Sequence, residues 1–307
     1  MQPNPAFVGL PKEFWANIRT ISQEVGYTRR IKPKKGVKGQ PGPIKIPTLA
    51  EAAAGLESID LTAKHLVGQD AKPTDMGRQV IEYFEYRADT LNRVVEPLLM
   101  NAEQATDLFN QLQSKLGTGS MVHMNKQSAE KKNPAYFTGM INMLIEANLK
   151  GLPCNYNPQE LTTVTRNKTP FRTLARRIDG AFPGPVDPLA VWEIKEYYYT
   201  TTFGSRVADG VYETLLDGME LEELDAALRE LSKIEDRPTH IQHLLMVDAH
   251  YTWWIKGRSY LCRIIDMLHM GYVDEVLFGK EIVTRLPVIV KAWVRAYRER
   301  GTVGHVS

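Results

Sequence analysis

The sequence predicts an α/β fold in which helices flank a mixed sheet, with a helical region at the N-terminal end. Apolar residues recur every three or four positions through most of residues 48–116, which is the spacing of amphipathic helices. Three β-forming runs follow one another between residues 161 and 202, and two more alternate with helices up to residue 300. We therefore expect central strands that form an antiparallel meander and later strands that arrive by helical crossovers.

The N-terminal region consists of helical patterns separated by short breaks. In the longest of them Val80, Phe84 and Leu91 fall on one stripe. A polar, irregular stretch at 118–132 separates this region from the rest, so we expect a helical region at 1–132 and a second domain at 133–307. The helices expected in the first region are 11–25, 49–56, 75–99 and 102–116.

A basic segment interrupts these helices. Its glycines and prolines exclude a regular helix, so we expect an extended arm or a loop. Cations on such a segment match a phosphate backbone, since each neutralised phosphate releases counterions. A solvated basic linker explains the composition equally well. With no acidic residue among them, the cations are Arg29, Arg30, Lys32, Lys34, Lys35, Lys38 and Lys45.

The second domain is expected to begin with a helix opened by Asn133 and Pro134, which are suited to the N-cap and the first turn. Gly218 is expected to separate two helices, and Pro287 to kink or restart the last one. The strands are expected at 161–166, 171–179, 189–202, 244–249 and 273–279. The helices are expected at 133–150, 205–216, 220–234, 258–270 and 281–300.

Composition restricts the class of protein. A chain of 307 residues can bury a large core, and its net charge of +2 does not by itself indicate a nucleic-acid partner. Two cysteines are too few for a disulfide framework or a zinc site and fit a reducing compartment. We see no signal-peptide pattern and no apolar run near the roughly 20 residues that span a bilayer, and expect a cytoplasmic protein. Without a P-loop or dinucleotide fingerprint, a nucleotide-driven motor is disfavoured.

Three charged residues meet in a predicted hairpin. Asp179 ends one β-forming run, and Glu193 and Lys195 lie two positions apart in the next. Side chains two apart project from the same side of a strand, so Ile194 between them turns towards a core. A solvated Glu and Lys on a surface hairpin are one explanation. Carboxylates that hold a divalent metal beside a water are the other.

This arrangement resembles the PD-(D/E)xK nuclease superfamily, the restriction-endonuclease-like proteins, whose core has the order αβββαβ. The resemblance covers roughly 134–300, and Ile178 stands where the motif has its leading proline. It implies that Asp179 bridges to the metal and that Glu193 is the second carboxylate ligand, with the carbonyl of Ile194 completing the set. The metal would be Mg²⁺, with Mn²⁺ able to substitute.

The same resemblance assigns two further roles. It implies that Lys195 assists the attacking water and that Glu146, on the preceding helix, supplements the site. We expect a Mg²⁺-dependent DNA endonuclease of the restriction or phage-defence type, homodimeric or larger, with a protein of a defence system as a candidate partner. Arg206 and the basic arm would contact DNA phosphates. A repair nuclease of the same fold, or a non-catalytic DNA-binding or scaffold protein that retains the fold, is the alternative.

The other candidate site residues have weaker support from the sequence. His240, His243 and His250 have no third ligand at a suitable spacing, so satisfied or solvent-facing imidazoles are expected. Asp248 follows a buried run and is expected to be a turn acid. Glu213 is either an accessory acid of the site or, more simply, a solvated helix residue.

Overall fold

The computed structural model describes residues 1–29, 42–116, 135–199, 205–232 and 240–303. The chain divides into two compact units. One, the helical unit, comprises residues 3–97 and 251–271, and the other, the sheet unit, comprises residues 1–2, 98–250 and 272–307. This division differs from a boundary after residue 132, because residues 98–116 group with the sheet and residues 251–271 group with the N-terminal helices.

The helices and strands in chain order are as follows. The helices are α1 (Lys12–Val25), α2 (Leu49–Glu57), α3 (Asp75–Asp89), α4 (Ala102–Leu116), α5 (Tyr136–Leu149), α6 (Ser205–Leu231), α7 (Arg258–His269) and α8 (Ile282–Val303). The strands are β1 (Thr163–Arg166), β2 (Thr169–Thr173), β3 (Gly180–Phe182), β4 (Ala190–Glu196), β5 (Gln242–Asp248) and β6 (Glu275–Phe278). No helix in the described ranges is both long and apolar enough to cross a membrane.

The helical unit is built on the stripes that the sequence predicts. Phe14, Val80 and Phe84 are fully or almost fully buried in one apolar cluster. The α-helix over 75–99 was predicted too long, because α3 ends at Asp89 and continues as a π-helical turn and a short 3₁₀ turn. Inside this unit the buried Arg87 is paired with Asp266 of α7 at 2.9 Å.

The sheet unit contains a mixed four-stranded sheet in the order β3-β4-β5-β6. β3 and β4 are antiparallel, whereas β4, β5 and β6 run parallel to one another. The two later strands therefore confirm the expected α/β organisation. The chain from β5 to β6 passes through 251–271, so α7, expected as a crossover helix of the core, belongs to the helical unit.

The expected meander of three strands in one sheet is wrong. β1 and β2 pair with each other in a separate two-stranded sheet, and the run predicted as a strand over 171–179 leaves strand conformation after Thr173. Asn167 and Lys168 both have positive φ, at 50° and 62°, as a tight hairpin turn requires. β2 is mostly exposed on both faces, so it lacks the apolar surface that a central strand needs.

A single long helix replaces two expected ones. α6 runs unbroken through Gly218, which we expected to lie beyond a helix end. A Cβ at this position would lie 2.3 Å from the carbonyl oxygen of Tyr272, so Gly218 permits close packing instead of ending the helix. α8 likewise continues through Pro287.

The sheet separates two apolar layers. On one face Trp192, Met246 and Leu277 pack in a cluster that includes side chains of α5 and α8. On the other face Val191 packs with Leu221 of α6. Because strand residues alternate between faces, Glu193 and Lys195 lie on the face that α6 covers.

Gly180 faces the ring of Trp192 across the β3–β4 pair. A Cβ at Gly180 would lie 2.0 Å from Cε2 of that ring, and Trp192 is fully buried. We expect Gly180→Ala to lower the free energy of unfolding by roughly 1–3 kcal/mol, because an overpacked core must distort. Urea unfolding measures the change. Gly184→Ala is the control, since a Cβ there meets no atom within 4 Å, and equal stability of the two variants would contradict this packing.

Candidate active site

The register of β3 and β4 brings the acid of one strand next to the Glu-x-Lys of the other. Gly180 pairs with Trp192, so continuing the pairing by one residue sets Asp179 beside Glu193. The backbone N–H of Ile194 donates to Oδ2 of Asp179 at 2.8 Å. The hairpin therefore places its three charged residues together, as its sequence pattern predicts.

Glu193 and Lys195 share one side of β4 and are in direct contact. Nζ of Lys195 donates to Oε2 of Glu193 at 2.7 Å. The side chain of Glu193 is 0% exposed and that of Lys195 only 8%. Ile194 turns to the other face of the sheet, where it packs on the apolar cluster. The pair is thus buried under α6 and does not form a solvated surface hairpin.

Arg176 was not predicted as a site residue, but it joins the carboxylates of this cluster. It lies in the bend between β2 and β3, and its Nη1 is 3.0 Å from Oε1 of Glu193. The same Nη1 is 2.5 Å from Oδ2 of Asp217, and Nη2 is 3.4 Å from Oε2 of Glu213. Glu213 also accepts from Lys195 at 3.2 Å. The site therefore draws on β4, α6 and the bend before β3.

Two of these residues had a signal in the sequence. Glu213 and Asp217 are four positions apart and thus share one face of a helix. The helix was expected to end near Leu216, so Asp217 fell beyond its predicted end and was not predicted to share a face with Glu213. Arg176 belongs to the charged run that precedes Asp179, but no local pattern shows which way a side chain in a bend points.

The charges within the cluster fix its protonation states. Burial alone would lower the pKa of Lys195, but the charges of Glu193 and Asp179 raise it well above its usual value. Burial acts to raise the pKa of Glu193, but the charges of Lys195 and Arg176 together outweigh it and lower the pKa. Burial and the charge of Glu193 raise the pKa of Asp217 to about 7. Lys195 is therefore a charged donor near neutral pH.

The other predicted site residues lie apart from this cluster. Glu146 is exposed on α5, and its charge acts on the hydroxyl of Tyr156. Arg206 is exposed in the first turn of α6, where its carbonyl oxygen accepts from the hydroxyl of Tyr197. Arg29 is exposed at the end of a described segment. The predicted DNA-binding residues Arg30, Lys32, Lys34, Lys35 and Lys38 lie outside the described residues.

The donor chemistry of the cluster suits a hard divalent cation. Mg²⁺ binds oxygen ligands, keeps several waters and needs only one or two carboxylates from a protein, which Asp179 and Glu193 provide. Oε1 of the buried Glu193 accepts no hydrogen bond from the described residues. Within the same residues, however, no three His, Cys, Asp or Glu side chains are grouped so that they could hold a metal ion.

Asp248 was expected to be a turn acid, but it is a fully buried strand residue. It ends β5, and its Oδ1 accepts from the backbone N–H groups of Met100 and Ala249, each at 2.8 Å. The hydroxyl of Tyr198 donates to its other oxygen. Burial raises the pKa of Asp248 to about 7. These contacts tie the end of the sheet together, so Asp248 has a structural role.

His240 has a satisfied ring, as expected, whereas His243 does not. Nδ1 of His240 contacts Asp225, and its Nε2 lies 2.9 Å from Oδ1 of Asp274. Nδ1 of the buried His243 donates to the carbonyl oxygen of Tyr272 at 2.8 Å, and burial lowers the pKa of this ring. Nε2 of His243 is buried and has no hydrogen-bond partner among the described residues.

Comparison with known families gives two matches, which meet near residue 97 but do not otherwise follow the two units, since residues 251–271 of the helical unit lie inside the longer match. A family model described as Domain of unknown function (DUF7687) matches residues 100–293. A second, described as Domain of unknown function (DUF7690), matches residues 1–94. Between them lies the point after residue 97 where the chain passes from the helical unit to the sheet unit. No curated protein and no solved structure gives a match.

His240 gives the stability of the fold a pH dependence. Its hydrogen bonds to Asp225 and Asp274 raise its pKa from 6.5 to about 10. A raised folded-state pKa stabilises fully below the unfolded value and is lost as pH rises through the folded value. We therefore expect His240→Gln to reduce stability most near pH 6, and progressively less up to about pH 10. Urea unfolding across this range measures the difference. Because the His240 side chain is 50% exposed, solvent screening keeps this effect on stability small. A stability difference between the parent protein and His240→Gln that grows with pH would contradict the prediction.

Proposed function

We propose that this chain, which belongs to the family of the domain of unknown function DUF7687, is a metal-dependent endonuclease that hydrolyses phosphodiester bonds of DNA. One observation carries the proposal: an antiparallel strand pair unites Asp179 with the adjacent Glu193 and Lys195. Two carboxylates at one point can hold a divalent metal for phosphodiester hydrolysis, and an ammonium group beside them can stabilise the developing charge. They meet although Asp179 and Glu193 lie 14 positions apart in the sequence.

The topology of the sheet supports a restriction-endonuclease-like core. β3 and β4 carry the motif on an antiparallel pair, and β5 follows parallel to β4 after the long helix α6. α5 precedes this sheet in the chain and packs on its other face. We propose that these elements are the core of the nuclease, with the small β1–β2 sheet in the place of a first strand.

Asp179 and Glu193, with the carbonyl of Ile194, would hold Mg²⁺ or Mn²⁺. A divalent metal there would neutralise charge on the scissile phosphate and lower the pKa of a bound water. Glu193 is already ionised, because its pKa is held below the usual value. No proton has to leave this carboxylate before it can act as a ligand at neutral pH.

Lys195 acts as a donor and not as a base. Its raised pKa keeps the ammonium group charged, so it cannot accept a proton from the attacking water. A charged donor in a water-poor site stabilises the negative charge that develops on a phosphate oxygen, and can orient the water. Gly210 of α6 contributes by leaving room, since a Cβ there would lie 3.1 Å from Cδ of Lys195.

The site as it stands is closed. Glu193 is completely buried, and of the side chains that contact it or Lys195, Arg176 is 24% exposed and Glu213 is 44% exposed. We propose that one or both of these side chains move when metal or DNA binds, because the side chain of Lys195 is only 8% exposed.

Binding to DNA is assigned to the basic arm and Arg206. Positive charge on an extended segment suits the sequence-independent part of DNA binding. We propose a homodimer or a larger oligomer, since two cuts in a duplex are most simply made by a two-fold pair. The proposed role is in restriction or phage defence, with a partner protein of such a system as a further possibility to test.

A non-catalytic DNA-binding or scaffold protein is the second candidate. The observation in its favour is that Glu193 is already neutralised by Lys195 and Arg176, as in a purely structural ion cluster. In an active site the ammonium group of Lys195 contributes to DNA cleavage, whereas in a structural cluster it contributes only to folding. Substituting Lys195 therefore distinguishes the two candidates.

We expect Lys195→Met to reduce cleavage of plasmid DNA in Mg²⁺ by at least about a hundredfold, because it removes a charged donor from the reacting oxygens. Cleavage is followed on a gel, with EDTA as the metal-free control. The methionine keeps the apolar stem, but Glu193 loses a partner, so thermal unfolding must show that the variant is folded. Lys280→Met, at an exposed position, should cleave like the parent protein.

The outcome decides between the candidates. Cleavage that Lys195→Met retains in full would remove Lys195 from the mechanism. A parent protein that binds DNA but cuts neither single-stranded nor duplex substrate, with Mg²⁺ or Mn²⁺ present, would favour the non-catalytic candidate.

We expect replacement of Lys34, Lys35 and Lys38 by glutamine to weaken DNA binding and to flatten its salt dependence. Each lost phosphate contact reduces the slope of log K against log salt by about 0.9, so the change should approach about 3. Fluorescence anisotropy with a labelled duplex at several salt concentrations measures the slope. The control is the exchange of three exposed lysines of equal charge, Lys64, Lys72 and Lys115. If both triple variants change the slope equally, the arm has no special role.

A further inference from the structure

The guanidinium of Arg176 lies between two buried carboxylates that come from different elements. Its Nη1 is 3.0 Å from Glu193 on β4 and 2.5 Å from Asp217 on α6. Both of these carboxylate side chains are 0% exposed. Two carboxylate oxygens converge on one positively charged nitrogen, which is the arrangement that a bound cation also requires.

The cluster depends on Arg176 for one of its two cations. Its cations, Lys195 and Arg176, contact three carboxylates, those of Glu193, Glu213 and Asp217. Glu193 and Asp217 are 0% exposed, whereas Glu213 is 44% exposed. If Arg176 moved out, Lys195 would be the one cation left among these contacts of the described residues.

Two buried oxygens of the cluster have unused capacity. Oδ1 of Asp217 and Oε1 of Glu193 accept no hydrogen bond from the described residues, although Nη1 of Arg176 lies near the latter. Buried carboxylate oxygens without donors are costly, and a metal ion is one way to satisfy them. Both oxygens would therefore be available to a metal ion if Arg176 moved away.

Arg176 is placed so that it can leave. It lies between β2 and β3 and takes no part in the pairing of either sheet. Its side chain is 24% exposed, so one end of it already meets solvent. Rotation of this side chain outwards would open the space between Glu193 and Asp217 without breaking a strand ladder.

We propose that Arg176 is an internal counter-ion that occupies the place of a divalent cation between Glu193 and Asp217, and that Asp217 becomes a metal ligand when Arg176 moves out. The proposal rests on the proposed function and deepens it. It assigns the supplementary carboxylate to Asp217 of α6 in place of Glu146, which is exposed on α5.

Calorimetric titration of the full chain with Mn²⁺, without DNA, tests this. We expect Arg176→Gln to bind Mn²⁺ about tenfold or more tightly than the parent protein, because the ion no longer has to displace a positive charge. Arg177→Gln is the matched control: this neighbouring arginine is exposed, contacts Gln159 at 3.0 Å and should leave the affinity unchanged. Adding Asp217→Asn to Arg176→Gln should reverse the gain.

Two results would overturn the proposal. One is an Arg176→Gln protein that binds Mn²⁺ no more tightly than the parent or the Arg177→Gln control. The other is a gain in affinity that survives Asp217→Asn, since the ion would then bind elsewhere.

Unfolding experiments cover the case in which Arg176→Gln is unstable. Without Arg176 the buried carboxylates repel each other, so the variant should melt at a lower temperature in EDTA than the parent. Mn²⁺ should then raise its Tm by more than it raises that of the parent, since a ligand that binds only the folded state stabilises it. A variant that Mn²⁺ does not rescue at concentrations that saturate the parent contradicts the proposal.

The test separates this inference from the nuclease proposal. If Mn²⁺ binds more tightly to Arg176→Gln but no form of the protein cleaves DNA, the counter-ion role stands and the nuclease proposal falls. If the parent protein cleaves DNA but Arg176→Gln gains no affinity, the nuclease proposal stands and the counter-ion role falls.

Discussion

The burial of Glu193 is the constraint on which the arrangement of the sheet unit depends. A carboxylate with no exposure to solvent is tolerated only when cations and donors surround it. Lys195 provides one cation from the same strand, which the two-residue period of β4 makes automatic. The second comes from Arg176, so the bend before β3 has to return across the end of the strand pair. α6 closes the cluster from above with Asp217, which Arg176 also holds.

Local features of this site could be predicted from the sequence because their causes are local. Alternation along a strand shows that Glu193 and Lys195 share a face, and a hairpin of ordinary length brings Asp179 beside them. The roles of Arg176 and Asp217 depend on contacts across 41 residues of chain. They are fixed by the rotation of α6 about its axis and by the direction of a bend, neither of which follows from spacing. Glu146 lies apart from the cluster for another long-range reason, since α5 packs on the face of the sheet opposite to Glu193 and Lys195.

The fold shows the same division between local and long-range causes. α1 and α4 begin and end within a residue of the limits that their periodicity predicts, because each repeats a strong apolar pattern. β1 and β2 have the β-forming residues of a sheet strand, but a two-residue turn pairs them with each other before either can join the larger sheet. The helix α7 was recognised, yet its membership of the helical unit depends on partners such as Arg87, far away in sequence. Gly218 was wrongly predicted to end a helix, because close packing inside a helix and helix termination both favour glycine.

The charge of the cluster bears on whether it is only structural. Replacing buried ion pairs by apolar residues is often neutral or stabilising, so stability alone gives little reason to keep such a network. A network kept for structure would at least be balanced, with each buried carboxylate oxygen supplied with a donor. Here Glu193 and Asp217 are the fully buried carboxylates of the contacts described, and Asp217 retains an oxygen without a donor among the described residues. A buried carboxylate oxygen without a donor is costly, and this cost is the physical reason for proposing that a metal ion takes the place of Arg176.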